Sequence, residues 1–309
     1  MDQNYLDIRR EITRSDDIRD ADLTIPEDID CYFALRYGSD EILNTLDIYC
    51  PKGTDTPMPT IISVHGGGWI YGDRQRYSHY CMRLARRGFT VVNFSYRLAP
   101  EHRYPAQIED TCRVMDWVRK NATAYHIDLN NLFMLGDSAG GQLCMQFLTM
   151  LTNPRYAALF DFAPPANLTV RACALNCGCY FIPVSRFITP RRMGTMVECF
   201  LPEDYLPITP QLRIHRYITS AFPPAFVMSS HHDFLKWMAA PLYRRLRRKG
   251  VDSTLRIYGT KEQTEAVHCF HLNCRSDLAD KCNDDECAFF RAHIVCPTAY
   301  HHIPSGDSL

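Results

Sequence analysis

In Gly136-Asp137-Ser138-Ala139-Gly140-Gly141 a serine sits between glycines, after the apolar run Leu132-Phe133-Met134-Leu135 and before a helical stripe of Leu143, Phe147 and Leu151. Strand, tight turn and helix in that order are what a nucleophile elbow requires. Gly136 and Gly140 keep side chains out of a turn that would otherwise collide with the incoming helix. Ser138 is then held at the tip, with the positive end of the helix beneath it to favour negative charge. The plainer alternative is a turn serine that caps the helix.

A second segment points to the same chemistry. After the β-rich run 60–64 comes His65-Gly66-Gly67-Gly68-Trp69, whose three glycines leave main-chain N–H groups unshielded at a strand end, where they can bind an oxyanion. A phosphate cradle would need Gly-x-x-x-x-Gly-Lys followed by Ser or Thr, which is absent. Together the two segments suit acyl transfer through a serine.

These turns need a scaffold, and the chain alternates short β-rich apolar runs with stretches of helical period. Strands are predicted at 32–37, 45–49, 60–64, 90–95, 132–135, 171–176, 225–229 and 254–258, and helices at 77–87, 106–121, 139–151, 235–249 and 277–292. That order implies an α/β fold with a mostly parallel eight-stranded sheet flanked by helices, forming one domain over 1–309. In the fourth helix Leu235, Met238, Ala239, Leu242 and Leu246 share one stripe and Gly250 stops it, while Arg244, Arg245, Arg247, Arg248 and Lys249 lie on the solvated face and last turn. Two stretches fall outside the alternation, about 1–30 and 182–224. They predict a small helical cap, the second at the carboxyl edge of the sheet where ligands bind.

Composition removes other classes. Of 309 residues, 34 are Lys or Arg and 35 Asp or Glu, for a net charge of −1 with no basic arm, which argues against a nucleic-acid partner. Asp, Glu and Arg crowd the first twenty residues, where a secretory signal needs an apolar stretch, and no run is long and apolar enough to span a membrane, so a cytoplasmic protein is expected. The 14 cysteines are scattered. Without an export signal they predict reduced thiols rather than a disulfide framework. Cys173, Cys177 and Cys179, like Cys274, Cys282 and Cys287, lack the paired spacing of structural zinc and are expected to be small buried hydrophobes, with no metal site.

The HGGG of His65 to Gly68 and the GDSAGG of Gly136 to Gly141 resemble the hormone-sensitive-lipase-like branch of the α/β-hydrolase fold, as does Tyr96-Arg97-Leu98-Ala99-Pro100-Glu101-His102. The likeness runs from about Leu46 to the last helix; the first thirty or so residues match only as a helical preamble. It implies that the backbone N–H groups of Gly67, Gly68 and Ala139 form the oxyanion hole. His65 would brace its own loop, and Tyr71 and Gly72 continue that loop without a catalytic task. The fold's chain order of serine, acid, histidine puts the partners of Ser138 downstream. Asp233 follows the run 225–229 and precedes a helix, and Glu203, Asp204 and Asp252 are rivals without such a strand end. For the base, Val267-His268-Cys269-Phe270-His271 follows the last strand and a polar loop. The family's usual His-Gly-Phe points to His268, with Cys269 in the glycine's place and His271 as the alternative; His293, His301 and His302 are expected at the surface.

The implied activity is a serine carboxylesterase with short- to medium-chain esters as small-molecule substrates, an acetyl group on a sugar among them, and no metal or organic cofactor. Two alternatives stay open: an amidase or peptidase on the same scaffold, and a non-catalytic small-molecule-binding relative.

Overall fold

A computed structural model describes residues 3–182 and 191–296. The predicted residues His301 and His302, and residues 183–190 of the predicted cap, lie outside them. Eight strands form one sheet: β1 (Ile29–Arg36), β2 (Thr45–Pro51), β3 (Met58–Val64), β4 (Thr90–Phe94), β5 (Ile127–Asp137), β6 (Val170–Asn176), β7 (Ala225–Ser230) and β8 (Ser253–Tyr258). Their spatial order is β1-β2-β4-β3-β5-β6-β7-β8. β2 runs antiparallel to β1 and β4, and every pairing from β4 to β8 is parallel. Each predicted strand is present.

The helices are α1 (Gln3–Asp20), α2 (Ser78–Ala85), α3 (Ala106–Asn121), α4 (Ala139–Thr152), α5 (Pro154–Ala157), α6 (Arg191–Phe200), α7 (Thr209–Leu212), α8 (Lys236–Arg248) and α9 (Asp277–Arg291). None of those described is long and apolar enough to cross a membrane. The two-residue period of the strands sorts side chains between two cores. Ile62, Val64 and Met134 point to the side covered by Ile108 and Val118 of α3, Leu143 and Phe147 of α4, and Leu242 and Leu246 of α8. Ile61, Phe133 and Leu135 point to the other side, against Tyr80 and Leu84 of α2 and Cys282, Cys287 and Phe290 of α9. All fourteen cysteines are free thiols, and Cys173, Cys177 and Cys179 are buried as expected.

α1 and α6 meet above the carboxyl edge of the sheet. Asn4 Nδ2 donates to Thr195 Oγ1 at 3.4 Å and Arg192 pairs with Glu11 at 2.5 Å. Arg9 ties α1 to the glycine-rich loop by donating to the Ile70 carbonyl at 2.6 Å and the Ala99 carbonyl at 2.9 Å. Packing and ion pairs, not intrinsic amphipathicity, hold this charged helix in place.

Candidate active site

The turn from β5 into α4 forces Ser138 to φ +52°, ψ −116°, in the left-handed half of φ space where side chains are strained. Two bonds hold it there: the Ser138 N–H donates to the Asn176 carbonyl at 3.0 Å, and the Cys179 N–H donates to the Ser138 carbonyl at 2.9 Å. The glycines are sterically required. A Cβ on Gly136 would meet the Gly140 backbone, and one on Gly140 would run into the carbonyl oxygen of Val64 at the end of β3. The elbow and the glycine-rich loop therefore touch through bare backbone.

In that loop Gly67 has φ +100° and Gly68 φ +60°. A Cβ on Gly67 would strike the Tyr71 carbonyl, and one on Gly68 would strike the Met196 side chain of α6. Among the described residues the amide N–H groups of Gly67, Gly68 and Ala139 donate to no protein acceptor. His65 braces the loop, its Nδ1 2.8 Å from the Gly66 carbonyl and its ring stacked on Tyr96 at 3.9 Å. Burial pushes His65 down to about 4, which keeps the ring neutral.

The structure brings the three predicted side chains together. His268 Nε2 lies 3.0 Å from Ser138 Oγ and its Nδ1 lies 2.6 Å from Asp233 Oδ1. Asp233 is buried at the end of β7 and takes two further bonds, from the Leu235 N–H to Oδ1 at 2.8 Å and from Ser229 Oγ to Oδ2 at 2.6 Å. Burial alone would raise its carboxyl, but the bond to and charge of His268, with the Ser229 and Leu235 donors, hold it below the ordinary carboxylate value. The rivals lie elsewhere: Asp252 faces His293 at 3.7 Å, and Glu203 and Asp204 are exposed. His271 is buried, and desolvation pushes it down to about 3.

Cys269 departs from simple packing. It is half-buried at φ +57°, which explains why glycine suits this place, and its Sγ donates to Asp137 Oδ2 at 3.1 Å. The same oxygen accepts the Tyr77 hydroxyl at 2.8 Å, and that hydroxyl accepts the Gly66 N–H at 2.8 Å. Asp137 thus joins the elbow, the glycine-rich loop and the His268 loop at one buried carboxylate, which burial holds above its usual range. Sequence reasoning left Asp137, Tyr77 and Ser229 without roles. Position within the Gly136 to Gly141 motif was the one signal available, and it covered Asp137 alone.

The Cys177 thiol lies with Asp233 and His268 donor atoms, all within 4.8 Å of one another. As a cation site the set is poor. Both imidazole nitrogens are engaged by Asp233 and Ser138, and burial pushes the Cys177 thiol up, toward its protonated form.

A family model described as the alpha/beta hydrolase fold matches residues 61–272. An alpha/beta hydrolase of Acanthamoeba polyphaga mimivirus is 27% identical over 232 residues, covering 72% of this chain and 64% of that one, so the chain spans somewhat under two thirds of that relative. An esterase of Fusarium pseudograminearum is 26% identical over 262 residues, covering 82% of this chain and 77% of its own. Among solved structures, phosphonate-inhibited esterase B of Lactobacillus rhamnosis superposes with a TM-score of 0.84 at 23% identity, over 94% of this chain and 96% of that one. At that identity the likeness establishes the fold. With the family model covering more than half of its length, the chain belongs to the α/β-hydrolase fold family, in the hormone-sensitive-lipase-like branch that its HGGG and GDSAGG segments resemble.

Proposed function

We propose that this chain is a serine carboxylesterase that hydrolyses short- to medium-chain carboxylic esters, acetyl esters among them, through Ser138, His268 and Asp233 and an acyl-enzyme intermediate. One observation carries the reading: the His268 ring bridges Ser138 Oγ at 3.0 Å and Asp233 Oδ1 at 2.6 Å.

A serine hydroxyl is a weak nucleophile until a base takes its proton. His268 Nε2 accepts it as Oγ attacks the acyl carbon, and Asp233 fixes the Nδ1–H tautomer and stabilises the imidazolium. Charge then gathers on the carbonyl oxygen. Gly67, Gly68 and Ala139 offer unspent N–H groups for it, and losing one such donor typically costs ~10² to 10³ in rate. The C–O bond breaks, the alcohol leaves with the proton from His268, and a water repeats the cycle to release the acid. No step calls for a metal or an organic cofactor.

The test is a panel of p-nitrophenyl esters graded by acyl length, with acetylated sugars and a matched amide alongside. Hydrolysis that peaks at short or medium acyl length and exceeds the amide supports the reading. Faster amide turnover, or no ester turnover by folded protein, overturns it.

A further inference from the structure

In ester hydrolysis the departing alcohol receives its proton from His268 Nε2, so the alcohol half of a bound ester must lie against whatever surrounds that imidazole. This argument rests on the proposed triad. The group beside the imidazole is aromatic: the Phe234 ring lies 4.3 Å from that of His268, centroid to centroid, at 46°. Phe234 is nonetheless 61% exposed. The turn explains both facts. Asp233 points inward to its bonds and Leu235 is buried in the core, so the side chain between them is turned out beside the ring.

Two more large apolar side chains are exposed on the same elements. Trp237, on the first turn of α8, is 60% exposed, and Val267, immediately before His268, is 47% exposed. The His232–Val267 bridge joins the Asp233 and His268 loops into one rim. A single exposed apolar residue needs no explanation, but Phe234 and Val267 on the two loops that carry the acid and the base, with Trp237 at the start of the adjoining α8 and Phe234 against the imidazole, do. Phe234 is not needed to hold Asp233, whose bonds come from Ser229 and Leu235.

We infer that Phe234, with Trp237 and Val267 exposed on the adjoining elements, is the platform for the leaving alcohol, and that the enzyme prefers esters of apolar, ring-bearing alcohols to esters of small alcohols. The experiment compares kcat/KM for benzyl acetate and ethyl acetate in the wild type, Phe234→Ala, Phe234→Leu and Trp237→Ala. Intrinsic reactivity of the two esters cancels when the benzyl-to-ethyl ratio is compared between variants. The ratio should fall about tenfold in Phe234→Ala, less in Phe234→Leu, and by a smaller factor in Trp237→Ala. A ratio that stays within twofold of wild type while both esters are hydrolysed overturns this inference alone. The inference also fails if Phe234→Ala alters the oligomeric state without moving the ratio, which would make the rim a contact between copies. Folded wild-type protein that hydrolyses neither ester overturns the reading of the site beneath it.

Discussion

Replacing Asp233 by asparagine separates the charge of the proposed triad acid from its power to orient the ring. Oδ1 of Asp233 accepts both His268 Nδ1–H and the Leu235 N–H, while Oδ2 accepts the Ser229 hydroxyl. An asparagine that turned its NH₂ toward the ring would set two donors, that NH₂ and the Leu235 N–H, against each other. The opposite orientation keeps the carbonyl on His268 and Leu235 and lets the NH₂ donate to Ser229 Oγ, which can accept. The ring therefore keeps its working tautomer in Asp233→Asn, and the loss comes from missing charge alone. For charges about 4 Å apart at an effective dielectric of about 20, that interaction is about 4 kcal/mol, of which the amide dipole restores a part. The expected fall in kcat/KM is roughly 10² to 10³, against roughly 10⁴ where an asparagine imposes the wrong tautomer. Asp233→Ala, which removes the anchor as well, should lose more than Asp233→Asn. Ester hydrolysis by both purified variants, with their melting temperatures, is the assay. Equal losses of about 10⁴ or more would refute the Leu235 argument, and activity within tenfold of wild type in both would remove Asp233 from the triad.

Further expectations concern packing and pH. Gly140→Ala puts a methyl group into the Val64 carbonyl and must push the elbow off the end of β3; displacements near 1 Å cost about 10² in rate, so retention of full kcat at an unchanged melting temperature would contradict the steric account. Glu286, buried under Asn176 and Tyr80, is pushed up by burial from 4.5 to about 7. The folded chain thus holds a proton that the unfolded chain releases, and stability falls as pH rises through that window, by about 3 kcal/mol in all. Glu286→Gln should remove that slope, so its advantage in urea unfolding widens from about pH 5 to about pH 8, and a constant gap would refute the assignment. His65 and His215, both pushed down to about 4, act in the opposite sense: the unfolded chain gains protons below about 6.5 that the folded chain refuses, so stability is lost on acidification.

The parts of the fold that were readable are those whose residues answer to their own local geometry. The β-branched runs of β3 and β4 and the apolar start of β7 are buried and continuous, and the three strands' positions match to within two residues. β5 begins at Ile127, five residues before the expected start, because Asp128, Leu129 and Asn130 at its entry are partly or fully exposed and break the apolar run. α1 was legible only as a preamble, since its hydrogen bond to the glycine-rich loop and its ion pair with α6 depend on partners 61 to 181 positions away. At the site, Ser138 is announced by the glycines its turn requires. Asp233 and His268 needed the chain order of the fold to be picked out. Ser229, Tyr77 and Phe234 left no trace, because their roles arise from contacts made after folding.

The most direct test is covalent capture of the nucleophile. Folded, active protein treated with a p-nitrophenyl phosphonate should gain one adduct by intact mass, mapped to Ser138, with matching loss of esterase activity, and Ser138→Ala should neither react nor hydrolyse ester. An active protein that stays unlabelled, or that carries its adduct on another residue, would contradict the account.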